Sequence, residues 1–454
     1  MSDGPAPAGA EKHAEIPLAG VERMAQPEVD AALAYVPAAQ SRGPFYALTF
    51  RNFRLFFIGQ LISVAGTWMQ TVAQNWVVWD LTKDPRWLGF VSAANAIPYV
   101  LFSMWGGHLA DRHSKRTILI VNQTAQMILA FALAVLATNR LVKMEAWHIV
   151  LLSGLLGLSS AFNMPAQQAF VVELVDRRDA LGNAIALSSL RFNLARVAGP
   201  MLAGLALQKF GAAVCFGVNG MSFIAVIICL WMMHVPQVTP TDHKMHVLEG
   251  FRYILRTRRV LRIILLIGGG SLFTWSVSTL FPMLADVMLH RQGPKGVQAG
   301  FTLIMIFNGV GAAVGAGLLA AAAGTAHRRL QVYGGSGLFC VALLVMSFSS
   351  AFWQVIALLV VSGFAMIVFG MASQTLVQEE VPDELRGRVM AVYSLVFQGL
   401  FPVGGLEMGF LANRFGAFAA IRINAIVCLV ITLLIYAWSV SARRRLEAAA
   451  EPAR

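Results

Sequence analysis

The chain has 454 residues, of which 57% are apolar and only 13% charged, with a net charge of +12. A soluble domain of this length carries roughly a quarter charged residues, so the apolar excess has to face lipid. Nor does the positive charge form a nucleic-acid stripe, because the Lys and Arg residues fall in short clusters between apolar runs.

Residues 1–44 are rich in Ala, Pro and charge and predict a disordered cytoplasmic tail. Crossing the hydrocarbon takes about 20 mainly apolar residues. Runs of that kind follow near 53–80, 87–108, 117–139, 146–172, 180–208 and 211–234. A basic linker, 235–260, comes next, and the stretch 247–262 (VLEGFRYILRTRRVLR) has the pattern of an amphipathic helix lying on the membrane surface. Six more runs lie near 261–290, 299–323, 330–349, 351–378, 384–412 and 416–441. The predicted fold is therefore all-α and membrane-embedded, with twelve transmembrane helices. It divides into a six-helix half at 45–234, the linker, a second half at 261–441 and a short cytoplasmic tail at 442–454. With both termini placed in the cytoplasm, the inner segments hold 24 of the 35 Lys and Arg residues and the outer loops hold eight. This is the bias of a positive-inside topology.

The halves repeat one another. VELVDRRDALGNAIALSSL (172–190) is similar to QEEVPDELRGRVMAVYSL (378–395). Gly199, Gly204, Phe210, Gly211 and Asn219 recur 205 residues later as Gly404, Gly409, Phe415, Gly416 and Asn424. Two like halves in parallel place a solute site between them, near the midplane.

The loop after the second span reads Gly107-His108-Leu109-Ala110-Asp111-Arg112-His113-Ser114-Lys115-Arg116. It resembles the G-x-L-A-D-R-x-G-R-K/R loop of the major facilitator superfamily, with Ser114 where that family usually has Gly. Gly107 permits close helix approach, and Asp111 among Arg112, Lys115 and Arg116 makes a charge network at a helix end. The resemblance implies that Asp111 meets the N-terminus of the eleventh span, an anion-favouring site, and that breaking this contact accompanies inward opening. The matching loop of the second half (Gly317 to Ala321, then Arg328 and Arg329) has no acid. Gly199-Pro200-Met201-Leu202-Ala203-Gly204 in the fifth span is close to the G-P-x-x-G-G element of superfamily exporters. The stretch from Asn52 to Thr82 is similar to a bacterial subgroup, the transmembrane secretion effectors, which includes the enterobactin exporter and several antibiotic efflux proteins. The resemblance covers roughly residues 45–440. It departs in the fourth span, which lacks the Arg that proton-coupled exporters usually carry there.

Ionisable residues inside spans are costly and need a partner or a cavity. They are Arg191 and Arg196 in the fifth span, Glu407 in the eleventh and Arg422 in the twelfth. Glu407 and Arg422 read as an ion pair or as a proton-titrating group with its modulator, with Asp286 and Asp111 as further proton-coupling candidates. Arg191 is placed to attract an anionic or phenolic solute. In the first span Gln60, Ser63, Thr67, Gln70 and Gln74 share one face, flanked by Trp68 and Trp76. Ser271, Thr274 and Ser278 form a similar stripe beside Trp275, after Gly268-Gly269-Gly270. These stripes face either a central cavity or a neighbouring helix. Asn163, Asn308, Gln374 and Gln398 belong with them.

Cys215, Cys229, Cys340 and Cys428 lie in apolar runs without metal-ligand spacing, and no phosphate-binding loop or catalytic set appears. The reading is a non-enzymatic transporter with no cofactor or metal, a monomer in the bacterial cytoplasmic membrane whose partners are a small-molecule solute, the lipid bilayer and protons. It exports a siderophore- or drug-like molecule by alternating access, with the proton gradient as the drive; a lipid or lysolipid flippase and a non-transporting receptor or scaffold are the alternatives.

Overall fold

The computed structural model describes Gly43 and residues 45–175, 177–233, 247–321 and 328–450. The expected tail apart from Gly43, the linker between 234 and 246 and the last four residues lie outside these. The first half consists of α1 (Arg51–Thr82), α2 (Pro85–Arg112), α3 (Lys115–Ala137), α4 (Ala146–Glu173), α5 (Arg178–Phe210) and α6 (Ala212–Met232). A short helix, α7 (Val247–Arg256), precedes the second half. That half contains α8 (Arg258–Gly269), α9 (Phe281–Leu289), α10 (Gly293–Ala321), α11 (Arg328–Met346), α12 (Phe352–Glu380), α13 (Asp383–Phe415) and α14 (Ala417–Ala450).

Among the described residues, ten stretches are long and apolar enough to cross a membrane. One of them, Arg258–Leu319, has 62 residues and doubles back at Gly293, where φ is +73°, so that Leu289 lies against Gly300. Helix α5 is not among the ten; Arg191, Arg196 and Lys209 lower its apolar content.

The two halves share contacts as well as sequence. In α2, Asn95 Nδ2 donates to the Ser153 carbonyl of α4 at 3.3 Å, and in α10 Asn308 Nδ2 donates to the Leu359 carbonyl of α12 at 3.4 Å. Four residues beyond each acceptor stands a glycine, Gly157 or Gly363, with its Cα pressed onto the carbonyl of that same Asn. Lys115 pairs with Glu173 at 2.7 Å, and Arg328 pairs with Glu379 at 2.8 Å in the equivalent place. Small residues allow such contact, and backbone carbonyls that cannot reach water gain a donor.

The chain between α8 and α9 is irregular. A π turn over Gly270–Thr274 passes into a 3-10 turn over Trp275–Leu280. Gly268-Gly269-Gly270 cannot hold a helix firmly, and α13 supports the break. Ser271 Oγ donates to the Phe397 carbonyl, and Gly404 lies against the carbonyl of Leu272.

Ser114 explains its own departure from the family loop. Its side chain accepts from Thr117 N and caps the start of α3, a task glycine performs without a side-chain acceptor.

Candidate functional site

The halves meet along two ridges, α2 against α13 and α5 against α10. Following each ridge shows where they touch. The face carrying the Lys83–Asp84 turn is termed the far face and the face carrying His108–Arg116 the near face.

At the far face the contact is continuous. Trp79 Nε1 donates to Asp286 Oδ2 at 2.9 Å, and Lys83 Nζ lies 3.8 Å from the same oxygen and 3.1 Å from Asp80. Trp76 stacks on Phe301 with centroids 5.4 Å apart. Gln298 Nε2 donates to the Leu207 carbonyl at 3.0 Å, and Thr302 Oγ1 to the Gly204 carbonyl at 3.1 Å. Asn413 Nδ2 donates to Asp84 Oδ1 at 3.3 Å, while Gly409 backs onto the Pro85 carbonyl and a Cβ on Gly89 would sit 2.9 Å from Leu406.

Asp84 also caps α2 and pairs with Arg86 at 2.7 Å, and these hydrogen bonds hold its carboxyl below the usual carboxylate range. A lowered pKa, owed mainly to Arg86 and least to Asn413, stabilises the start of α2 above the ordinary value and loses that contribution as pH falls through the folded value. Acidification below about pH 4 should therefore destabilise the start of α2, and Asp84→Asn should remove this acid sensitivity in thermal melts across pH.

Midway the contact thins. Gln398 Nε2 reaches Tyr99 Oη at 3.5 Å, and Gly309 is 3.5 Å from the Val197 carbonyl at the position of a built Cβ. Beyond this level the ridges part. Gly107 on α2 and Gly317 on α10 have no atom within 4 Å of a built Cβ, and Leu395 of α13 and Leu318 of α10 are exposed. The bundle is sealed at the far face and open between its halves at the near face.

The polar stripe of α1 is largely spent inside the first half. Asn219 Nδ2 donates to Gln70 Oε1 at 2.7 Å, and Gln74 Nε2 donates to Ser153 Oγ at 3.2 Å; both glutamines are buried. Trp68 meets Phe192 edge-on at 6.2 Å and backs onto Gly199 beside Pro200. Trp275 is buried among Phe339, Phe369 and Phe397, and its indole N–H has no partner among the described residues. Thr274 and Ser278 donate to carbonyls of their own turn. Asn163 Oδ1 is buried without a donor.

Glu407 and Arg422 do not pair. Asn424 Nδ2 donates to Glu407 Oε2 at 2.9 Å, whereas Arg422 donates to the Ser347 carbonyl at 3.0 Å and lies over Phe348. The last carbonyls of a helix draw a guanidinium more readily than a carboxylate already held by an amide.

In the near-face loop, Arg116 caps α6 through the carbonyls of Leu230 and Trp231 at 2.8 and 2.9 Å, and Lys115 is held by Glu173. Arg112 is exposed, and Asp111 makes no hydrogen bond or ion pair among the described residues. The close approach expected at Gly107 is made instead by Gly106, which backs onto the Ala161 carbonyl. Trp79 and Asn95 escape sequence reading, although an Asn at the same place in both halves is a signal that it contains.

Two like halves, sealed around charged and aromatic side chains at one face and parted at the other, define a transporter of the major facilitator type. The fold agrees with solved structures. The nucleoside transporter NupG superposes with a TM-score of 0.64 at 13% identity, covering 86% of this chain and 98% of that one. A bacterial homologue of the human lysosomal transporter Spinster gives 0.66 at 14% identity, covering 88% and 97%. Residues 42–452 match the Transmembrane secretion effector family, and the chain belongs to it. Curated relatives include the staphyloferrin A transporter of Staphylococcus aureus, 25% identical over 389 residues (84% of this chain, 95% of that protein). The enterobactin exporter EntS of Escherichia coli is 25% identical over 399 residues (86% and 92%), and the multidrug efflux pump Tap of Mycolicibacterium fortuitum 23% over 378 residues (80% and 90%).

Proposed function

We propose that this protein exports a small organic solute, siderophore- or drug-like, across the bacterial cytoplasmic membrane by alternating access. The observation that carries the reading is the graded contact between the halves, continuous at the far face and absent from Gly107 and Gly317 onward. Basic clusters assign the near face to the cytoplasm. The structure then corresponds to a state open to the cytoplasm, from which an exporter loads. Unpaired Asp111 fits that state, since its contact with the start of α13 is the one that closing would make. The protein works as a monomer, and the names of its relatives support the solute class.

The proton gradient drives the cycle in this reading, with Glu407, Asp286 or Asp111 changing protonation. Reconstitution in proteoliposomes with an imposed pH gradient tests it. Extrusion of a fluorescent drug or an iron chelator should follow the gradient in the parent and fall about tenfold in Asp111→Asn, with Glu407→Gln losing the gradient dependence. Flux indifferent to the gradient in the parent would remove proton coupling, and no flux of any solute would remove the transport reading.

A further inference from the structure

Among the described residues, several arginines that pack into this bundle find acceptors, and Arg191 and Arg196 of α5 leave buried donors without one. Arg116 caps α6, Arg422 caps α11 beside Phe348, and Arg262 Nε donates to the Arg258 carbonyl at 3.0 Å while lying over Trp438. Arg191 of α5 is 5% exposed, yet its Nε and Nη1 are sealed from solvent with no acceptor among the described residues. Its one contact of note is with the ring of Phe56, 5.4 Å from the guanidinium carbon. Phe56 in turn meets Phe170 edge-on at 5.6 Å.

Apart from Asp111, which pairs with nothing among the described residues, several carboxylates of the bundle are committed elsewhere. Asp80 and Asp286 hold Lys83, Glu173 holds Lys115, Glu379 and Glu380 hold Arg328 and Arg329, and Glu407 holds Asn424. No ion pair reaches Arg191 among the described residues. Five residues on, Arg196 likewise has a buried Nε without an acceptor.

A buried guanidinium without a counter-charge is costly, and a ring face answers only the plane of the group, not its in-plane N–H donors. Those donors form the edges that grip a carboxylate in two-point fashion. Nη2, which both edges share, is not among the sealed atoms.

We infer that Arg191 binds an anionic group of the transported solute, a carboxylate or phenolate, with the buried Phe56 ring backing the guanidinium. This rests on the export reading and narrows it to organic anions, setting cationic drugs aside. The residue is then kept for a ligand and strains the empty protein, which reverses the usual expectation for a buried arginine.

Thermal unfolding of the purified full-length protein tests this sign, with benzoate and trimellitate as anionic probes and benzyltrimethylammonium as the cationic one. Trimellitate and benzoate should raise the melting temperature of the parent by a few degrees, and the cation should not. Arg191→Met should melt about 2–4 °C above the parent when empty and show no anion shift. Arg191→Lys should keep the shift with roughly tenfold weaker apparent affinity, which serves as the test should the Met variant not fold. A lower melting temperature for Arg191→Met with the anion shift intact would make the residue structural and overturn the inference. Equal stabilisation by the cation would overturn it too. Loss of the anion shift in Arg191→Met with no solute flux in proteoliposomes would leave the anion site standing and defeat the export reading; flux with an unchanged shift would do the reverse.

Discussion

Valine in place of Gly157 should leave almost no folded protein in the membrane fraction, whereas valine at Gly107 should fold normally and fail to transport. At Gly157 a Cβ would fall on the backbone carbonyl of Asn95, which cannot rotate away as a side chain can. The same carbonyl belongs to the residue whose amide holds Ser153, so separating α2 from α4 also breaks that hydrogen bond. Overpacking of this kind costs about 1–3 kcal/mol, and more where backbone must move, which is a large share of a typical stability. The equivalent change at Gly363, against the Asn308 carbonyl, should behave alike. Gly107 is the control. Nothing lies within 4 Å of its Cβ direction in this state, so folding is spared. The next contact along the α2–α13 ridge would form there when the near face closes, and a branched side chain would hold it open. Fluorescence-detected size exclusion measures the first effect and solute flux the second. A well-folded, active Gly107→Val protein would show that closing does not bring these helices together.

Asp286→Ala should unseal the far face. The carboxylate accepts from Trp79 at 2.9 Å and lies 3.8 Å from Lys83, joining α9 to α1 across the two halves. Hydrogen bonds to charged groups contribute about 1.5–3 kcal/mol, so their loss shifts the balance between closed and open far faces by roughly 10- to 100-fold. A cysteine placed at Met305, one turn beyond Thr302 and buried beneath the seal, should react about tenfold faster with a membrane-impermeant maleimide. Asp286→Asn retains an acceptor for Trp79 and should fall between Ala and parent. Unchanged labelling in Asp286→Ala would assign the seal to the Trp76–Phe301 stack and the Thr302 and Gln298 bonds alone.

The all-helical, membrane-type fold was legible in the sequence because long apolar runs are a local pattern. The internal repeat was legible only late in each half, for a geometric reason. Asn95 and Asn308 stand 213 residues apart, as do Lys115 and Arg328, while Gly157 and Gly363 stand 206 apart. Loops of different length between equivalent helices shift the offset, so the spacing of 205 that joins Asn219 to Asn424 cannot find the earlier partners. Partner choice was the least legible part. Periodicity places Gln70 and Gln74 on one face of α1, but whether that face meets Asn219 and Ser153 or open space depends on where two other helices lie. The same holds for Glu407 and Arg422, close in sequence across a turn yet drawn to Asn424 and Ser347. The break between α8 and α9 was visible as three glycines, although its π and 3-10 turns depend on support from α13.

That support has a mechanical consequence. Ser271 on the Phe397 carbonyl and Leu272 against Gly404 fasten the irregular pass to α13 on either side of Pro402. If the halves rock as proposed, two helices riveted at two points would tilt together as a plank, with its fulcrum near the Trp79–Asp286 lock. For a plank spanning about 30 Å of membrane, a tilt of about 10° displaces the free end by roughly 5 Å, close to the width of an aromatic ring. In that movement the aperture offered to a solute would be set by the length of the lever as much as by the side chains along it.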